Sequence, residues 1–444
     1  MGKAPTIGPT QLPASVYPGR LPLLGNLHQI AIDMPGVLRH MERDLGPLCW
    51  LDMGADNQML VWTDRRALTL FDNKITSSAT DSEHFGRVAG RSLIATDGSG
   101  HRRMRQIMNR PFTPRGLTTT GIGEQILRTV TDRVRRIVRA ERLTIASETY
   151  ELALDVVFGI IGIPRQELPM WRKRYAELLL GLIGLRLDVP GSPQWRSRRA
   201  ARWLDRELSR HLRELSRQPE THGLVTALTR GRDDAGRSMD EREIVHNLRV
   251  LALAGHETSG AAMAWMTAYA AIRPCIWDAL CGEALTSDVP SSPADLSSFP
   301  FAQALFREVV RYHPPAYLRS RLLCAPMEMA GREIPSGTVA MVPIWLLSRD
   351  PSLYRQPDRF DPWRWLHRQR PLSAQERCQF GGGPHFCLGY HTALLEAVQY
   401  IVALTQELHT HKRRLRLVGS LPRERYLPVL GPRRRDTRAR VVSS

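Results

Sequence analysis

The amino-acid sequence predicts a mainly α-helical protein with a minor β part. Apolar residues recur with a helical period of about 3.6 through long segments from residue 101 onward, and short alternating runs typical of strands stand before and after them. The chain has 444 residues, of which 42% are hydrophobic and 24% are charged, as in a folded protein. This length fits either two domains or one large helical domain.

The predicted elements follow a simple order along the chain. A Pro- and Gly-rich opening segment, residues 18–27, leads into two alternating runs, LCWLDMG and QMLVWT, which predict a small sheet near the front. Residues 327–344 predict short strands joined by turns, and an irregular Pro-rich stretch follows. The predicted helices of the middle are residues 101–109, 122–140, 148–161, 200–216, 241–272 and 301–312.

Charge and cysteine usage exclude several classes of protein. The net charge of +18 fits an acidic protein partner, an acidic membrane surface or nucleic acid, but the arginine clusters are spread along the chain without a nucleic-acid-binding motif. The six cysteines form no CxxC pair, so neither a disulfide framework nor a zinc ribbon is expected. No run has the length of a membrane span, and we expect a cytoplasmic protein without a membrane anchor.

One cysteine stands in a glycine-rich loop, FGGGPHFCLG, at residues 380–389. A thiolate at Cys387 can act as a nucleophile, a zinc ligand or an axial haem ligand, and His385 two residues away is a candidate base for the first role. Glycines at 381, 382, 383 and 389 favour a backbone that approaches something flat or bulky and aims N–H groups at the sulfur. A helical pattern begins just after Cys387, and its N-terminal partial charge favours the thiolate, which suits binding to iron.

The residues of this loop resemble the haem-binding signature of the cytochrome P450 family. The resemblance rests on Phe380, Gly383, His385, Cys387 and Gly389, followed by Ala393 and Glu396. It implies haem b with Cys387 as its proximal thiolate ligand, Phe380 packed by the sulfur, His385 against a propionate, and Gly381 and Gly389 in the cofactor-binding loop.

The resemblance covers most of the chain and implies a fold. A cytochrome P450 is a helix-rich triangular prism with a long central helix over the haem and small antiparallel sheets. The implied single domain spans residues 18–431, between a flexible segment at residues 1–17 and a basic tail at residues 432–444.

Residues 243–272 predict one helix of about eight turns that crosses the core. Ala254 and Gly255 remove side-chain bulk in its middle, and the Thr258 hydroxyl is placed to bond the Ala254 carbonyl, bend the helix and open a polar notch. A simple helix kink with a satisfied threonine explains the same residues. Glu257 and Thr258 resemble the family's acid–alcohol pair, which orients a proton-delivering water for cleavage of the O–O bond.

Two further groups of charged residues resemble family motifs. Glu308 and Arg311 lie at i and i+3 on one helix face, and Arg364 in the segment FDPWRW would complete a structural network with them. His101 and Arg105, at i and i+4, resemble the helix whose His and Arg bind haem propionates. Arg319 and Arg321 stand two residues apart on a predicted strand and would face the same way, and we favour Arg321 as a third propionate contact.

The resemblance implies a monooxygenase that hydroxylates or epoxidises a hydrophobic small molecule such as a terpenoid, steroid, fatty acid or polyketide. It would be a monomer that uses O2 and takes electrons from a ferredoxin with its ferredoxin reductase, or from a flavodoxin, docked at Arg102, Arg103, Arg110 and Arg377. The alternatives are a haem-thiolate peroxygenase or isomerase and, in another class, a non-catalytic haem sensor or nucleic-acid-binding regulator. The substrate pocket is assigned by family position to Leu251, Ala254, Ala316, Tyr317, Leu318 and Leu427.

Overall fold

The computed structural model describes residues 14–54, 58–72, 74–78, 89–182, 189–217, 223–366, 370–426 and 431–443. The α-helices of this part of the chain are α1 Leu27–His40, α2 Thr69–Asp72, α3 Gly98–Phe112, α4 Pro114–Thr119, α5 Ile122–Arg139, α6 Ile145–Ile161, α7 Leu168–Leu179, α8 Pro193–Ser216, α9 Leu224–Arg230, α10 Glu241–Ile272, α11 Pro274–Ala284, α12 Pro300–Tyr312, α13 Ile344–Leu347 and α14 Tyr390–Thr410. The strands are β1 Ser15–Val16, β2 Leu48–Asp52, β3 Gln58–Trp62, β4 Thr76–Ser77, β5 Arg142–Thr144, β6 Arg319–Leu323, β7 Met327–Met329, β8 Arg332–Ile334, β9 Val339–Val342, β10 Arg413–Leu417, β11 Glu424–Arg425, β12 Gly431–Pro432 and β13 Arg438–Ser443.

The longest helix, α10, has the bounds that the sequence predicts. Its start is set by a capping box, in which the Asp240 side chain accepts from the backbone N–H of Glu243 and the Glu243 side chain accepts from that of Asp240. Its end is set by Pro274, because a residue before proline, here Arg273, is pushed out of the helical region. Most side chains of α10 are buried, so it crosses the core as expected.

The sequence prediction misses three helices of more than ten residues, α1, α7 and α11, and the shorter helices α2, α4, α9 and α13. Helix α1 lies where the sequence predicts only a front sheet, and its periodicity is interrupted because Asp33 leaves the helical region two residues before Pro35. The helix nevertheless buries Ile30, Met34 and Val37 against the neighbouring sheet cluster. Tertiary packing therefore outweighs the weak local signal.

A six-stranded sheet joins the front of the chain to its second half in the order β1-β2-β3-β9-β6-β4. Strand β3 runs parallel to β9, with Leu60 opposite Ala340, and β6 runs antiparallel to β9, with Arg321 opposite Ala340. This pairing brings the predicted strand that carries Arg319 and Arg321 beside the front of the chain.

The end of the chain is a strand and not a tail. Strand β13 pairs with β10 on one side and with β5 on the other, so it is the central strand of a three-stranded sheet. Ala439 and Val441 are buried between exposed arginines. Because exposed arginines stand between these apolar residues, the segment looks like a basic tail in the sequence. The predicted tail at 432–444 is therefore corrected: residues 438–443 form a strand. At the other end, β1 pairs with β2, so Ser15 and Val16 belong to the fold as well.

Helix α10 packs along α6 and against α14, which also contacts α5. One described helical segment, Gly383–Thr410, is long and apolar enough to cross a membrane, and 67% of its most apolar window is buried inside the protein. Helix α14 is therefore part of the core beneath the cysteine loop.

Candidate active site

Cys387 lies in the loop that leads into α14. Its backbone N–H donates to the Phe380 carbonyl at 2.8 Å, and the helix begins three residues later at Tyr390. The thiol is deep in the protein, yet its side chain is partly accessible. A deep and accessible sulfur at a helix N-terminus is a suitable metal ligand.

The glycines of this loop have separate causes. Gly381 and Gly383 take positive φ values of 74° and 56°, where a side chain is strained. A Cβ at residue 382 would come within 3.1 Å of Phe71, whereas a Cβ at residue 389 would meet no protein atom within 4 Å. The turn and Phe71 thus explain three of the four glycines, and only Gly389 fits the expectation of a close approach to something other than protein.

Positive groups surround the Cys387 sulfur. Burial raises the pKa of the Cys387 thiol, while a hydrogen bond from the Gly389 backbone and the charges of Arg105 and Arg319 lower it. These donors and charges favour the thiolate once a cation replaces the proton. The charge of Arg319 at the sulfur is a role that the sequence does not predict, and it leaves the predicted propionate contact of Arg321 untested.

The rings of His101 and His385 are in contact, with centroids 4.1 Å apart and planes tilted by 41°. His101 is 2% exposed, burial lowers its pKa to about 4, and its Nε2 atom makes no hydrogen bond to a described residue. His385 Nε2 lies 2.9 Å from Asp97 Oδ1 and 3.3 Å from Ser78 Oγ. Asp97 is not predictable from the sequence, because it stands 288 residues before His385 and carries no motif of its own.

Two arginines approach the same loop from other elements. Arg105 Nη1 donates to the Phe386 carbonyl at 2.7 Å, which ties α3 to the residue before Cys387. The buried Arg321 places its guanidinium 5.0 Å from the ring centre of Phe71, on which residue 382 packs. Both side chains therefore lie around the loop, as the sequence predicts.

One face of α10 is accessible although the helix lies in the core. Leu251, Ala254 and Thr258 share this face because they are spaced by three and four residues, and all three are exposed or half-buried. Thr258 Oγ1 donates to the Ala254 carbonyl at 2.6 Å, which is the predicted hydrogen bond. The helix continues through it without a break.

Glu257 lies on a different face of α10 and has a partner that the sequence does not reveal. Arg425 Nη2 donates to Glu257 Oε2 at 3.1 Å and to the Tyr150 hydroxyl at 3.2 Å. The pair joins positions 168 residues apart, so no local pattern predicts it. Glu257 is buried and held by this arginine.

Glu308, Arg311 and Arg364 are brought together as the sequence predicts. Glu308 accepts two hydrogen bonds from Arg311, at 2.7 and 2.8 Å, and a third from Arg364 Nε at 3.3 Å. Trp365 Nε1 and the Asp361 backbone complete its partners, at 2.8 and 2.7 Å. Glu308 and Arg311 are fully buried, so the network is internal to the fold.

The predicted substrate-pocket residues are only partly brought together. Tyr317 packs in the buried cluster of Tyr17, Ile30 and Tyr426, so it belongs to the core and not to an accessible wall. Ala316 and Leu318 are half-buried, and Leu427 lies outside the described residues.

Comparisons with known proteins agree with this geometry. The Cytochrome P450 family profile matches residues 16–163 and 195–414. The chain belongs to the cytochrome P450 family. Cytochrome P450 BJ-4 homolog of Sinorhizobium fredii is 37% identical over 419 residues, with 94% of both chains covered. Cytochrome P450 BJ-4 of Bradyrhizobium diazoefficiens is 36% identical over the same length and shares.

The P450 fold is confirmed by a solved structure. The chain superposes on retinoic acid bound cyanobacterial CYP120A1 with a TM-score of 0.83, covering 97% of this chain and 100% of that one, at 22% identity. The mainly helical class with small sheets, predicted from periodicity, is therefore correct.

Family membership makes the protein a monooxygenase that binds haem through a cysteine thiolate, acts on a hydrophobic substrate and uses O2 with a redox partner. The residues around Cys387 fit such a P450 cofactor. The Nε2 of buried His101, which has no partner in the described chain, offers a donor for an anionic group, and the described residues leave the α10 face of Leu251, Ala254 and Thr258 partly uncovered.

Proposed function

We propose that this P450 hydroxylates or epoxidises a hydrophobic small molecule, with Cys387 as the thiolate ligand of haem b. The observation that carries the proposal is the position of the sulfur at the start of α14, bonded by Gly389 and facing the charges of Arg105 and Arg319. Haem bound there supplies the redox centre at which O2 is reduced and one oxygen atom enters the substrate.

Other residues of the chain hold the cofactor. His101, Arg105, Arg321 and His385 bind the propionates, because they place imidazole and guanidinium donors around one side of the cysteine loop. Phe380 packs by the sulfur, and its ring lies 4.8 Å from that of Tyr390 at the helix start.

Thr258 and Glu257 take part in proton delivery. Since the Thr258 hydroxyl donates its hydrogen to Ala254, its oxygen remains an acceptor that orients a water on the accessible face of α10. Glu257 is the acid of the pair, and Arg425 sets the position of its carboxylate. This arrangement favours a donor-driven monooxygenase over a peroxygenase.

The substrate is a terpenoid, steroid, fatty acid or polyketide. The walls assigned to the pocket are apolar, with Leu251 and Ala254 on α10 and Leu318 before β6. No charged residue shares the exposed face of α10 with Thr258.

The electron donor is a small acidic ferredoxin with its reductase, or a flavodoxin, met in the cytoplasm. Arg102 and Arg377 are exposed near the cysteine loop and suit docking. Arg103 does not, because Glu243 and the Ser238 carbonyl bind its guanidinium. Arg110 is exposed beside Asp234, at 3.9 Å, which weakens its attraction for an acidic partner.

The proposal is tested by the visible difference spectrum of the dithionite-reduced protein with and without carbon monoxide. Wild type is expected to show the band of thiolate-ligated haem, and Cys387→Ala is expected to lose it. The matched control is Cys378→Ala, which removes another buried thiol nine residues earlier in the same region. A thiolate-type spectrum in Cys387→Ala, or its loss in Cys378→Ala alone, would contradict the assignment.

A further inference from the structure

A cavity lies beside Arg425. It has a volume of about 510 Å³, and its lining consists of Ala31, Glu424, Arg425, Arg433, Arg434 and Arg435. The volume falls within the range of about 300–1,000 Å³ that is typical of small-molecule sites. Four of the six lining residues are arginines, so its electrostatic character is set by guanidinium groups.

The positive charge of this cavity is only partly neutralised by the protein. Within the described residues, neither Arg433 nor Arg434 forms an ion pair. Arg433 Nε donates to the Glu424 carbonyl, and Arg434 lies 5.3 Å from the ring centre of Tyr150. The Glu424 carboxylate is itself bound by His313.

Two of the guanidinium groups lie near the same aromatic ring. Arg425 stands 5.7 Å and Arg434 5.3 Å from the centre of Tyr150, and the Arg425 Nε atom is buried without a hydrogen-bond partner in the described chain. The buried Arg425 Nε–H group lacks an acceptor, and an anion in the cavity would supply one. The arginine fork also matches the oxygens of a phosphate group, which it binds with two parallel hydrogen bonds.

We propose that this cavity, lined by Arg425, Arg433, Arg434 and Arg435, is a binding site for the phosphate group of an anionic molecule. The carboxylates near it, Glu424, Glu257 and Asp436, are each already bound by a histidine or an arginine. The cavity therefore lacks a negative charge of its own, and a phosphate group would supply it. Exposed Ile32 follows Ala31 on α1, so the group can come either from a soluble molecule or from a lipid headgroup at this surface.

The test is isothermal titration of the haem-loaded protein with inorganic pyrophosphate at constant ionic strength. Arg433→Ala/Arg434→Ala removes two cavity charges and leaves Arg425, the partner of Glu257, in place. We expect pyrophosphate affinity to fall at least about tenfold. The control is Arg414→Ala/Arg440→Ala, which removes two exposed arginines of the C-terminal sheet outside the cavity and is expected to bind as wild type does.

A parallel arm separates the two sources of phosphate. Binding to vesicles of phosphatidylglycerol is compared with binding to vesicles of phosphatidylcholine, which tests a lipid headgroup. Both measurements are repeated with the same two double variants. Selective binding of either probe that depends on Arg433 and Arg434 supports the site and names its source. Absence of saturable binding of both probes to wild type, or equal weakening in the control variant, overturns it. An unchanged haem spectrum in each variant shows that the fold and the haem site are intact.

Discussion

At the scale of single residues, substitution of Thr258 distinguishes a structural role of its side chain from a chemical one. Its hydroxyl bonds the Ala254 carbonyl, so removal costs the helix only one local hydrogen bond. Thr258→Ala is expected to keep haem and substrate binding while coupled product formation falls by about one to two orders of magnitude and more of the electrons go to hydrogen peroxide. Product and peroxide are measured per reducing equivalent consumed.

The matched control for Thr258 is Thr258→Ser, which keeps the hydroxyl and removes a methyl group. It is expected to retain most of the coupling. Equal loss in both variants, or unchanged coupling in Thr258→Ala, would show that the hydroxyl does not handle protons.

Glu396 is a buried acid that the proposed reaction does not use. It faces Ser259 from α14, and burial raises its pKa from 4.5 to about 8, with the Ser259 hydrogen bond opposing. Between these values the folded state holds the proton more tightly than the unfolded chain, so this group makes the free energy of unfolding fall as pH rises. Glu396→Gln is expected to remove that slope.

The measurement for Glu396 is urea unfolding of wild type and Glu396→Gln at pH 5 and pH 8. The variant is expected to gain stability relative to wild type at the higher pH, where wild type bears the cost of ionising a buried acid. Parallel pH profiles of the two proteins would rule out the raised pKa.

At the scale of elements, the Glu308 network joins α12 to the segment that carries Arg364 and Trp365. Glu308→Ala leaves the buried Arg311 charge without its carboxylate, which is expected to cost about 3–5 kcal/mol of the free energy of unfolding. The control is Glu207→Ala, because Glu207 and Arg210 have the same i, i+3 spacing on a partly exposed face. Its expected cost is below about 1 kcal/mol.

Chemical denaturation of both variants provides the comparison. Equal losses for the buried and the partly exposed pair would mean that burial of the network does not matter. A small loss for Glu308→Ala would mean that the loop of residues 355–365 is held by its other hydrogen bonds.

At the scale of the whole molecule, the last strand, β13, joins β10 and β5 into one sheet. Deletion of residues 438–444 removes β13 from between β10 and β5 together with the buried Ala439 and Val441. The expected loss is about 3 kcal/mol or more in the free energy of unfolding, because ladder hydrogen bonds and apolar burial disappear together. Deletion of Ser444 alone is the control, and thermal unfolding at equal haem content is the measurement. Unchanged melting after the longer deletion would mean that the strand is dispensable.

The sequence alone determined the helical class, the bounds of α10, the cysteine loop and the bond from Thr258 to Ala254. Each of these depends on residues within a few turns of one another, where helical periodicity, a capping box or an i+4 spacing specifies the contact directly. The Glu308–Arg311 pair belongs to the same group.

Only the tertiary structure decided the partners that come from distant segments. Arg425 meets Glu257, Asp97 meets His385, and the basic end of the chain pairs with β5 as part of a central strand. These contacts join residues that are more than a hundred positions apart. The packing of the whole chain selects such partners, because many residues of suitable chemistry compete for each one and local patterns do not rank them.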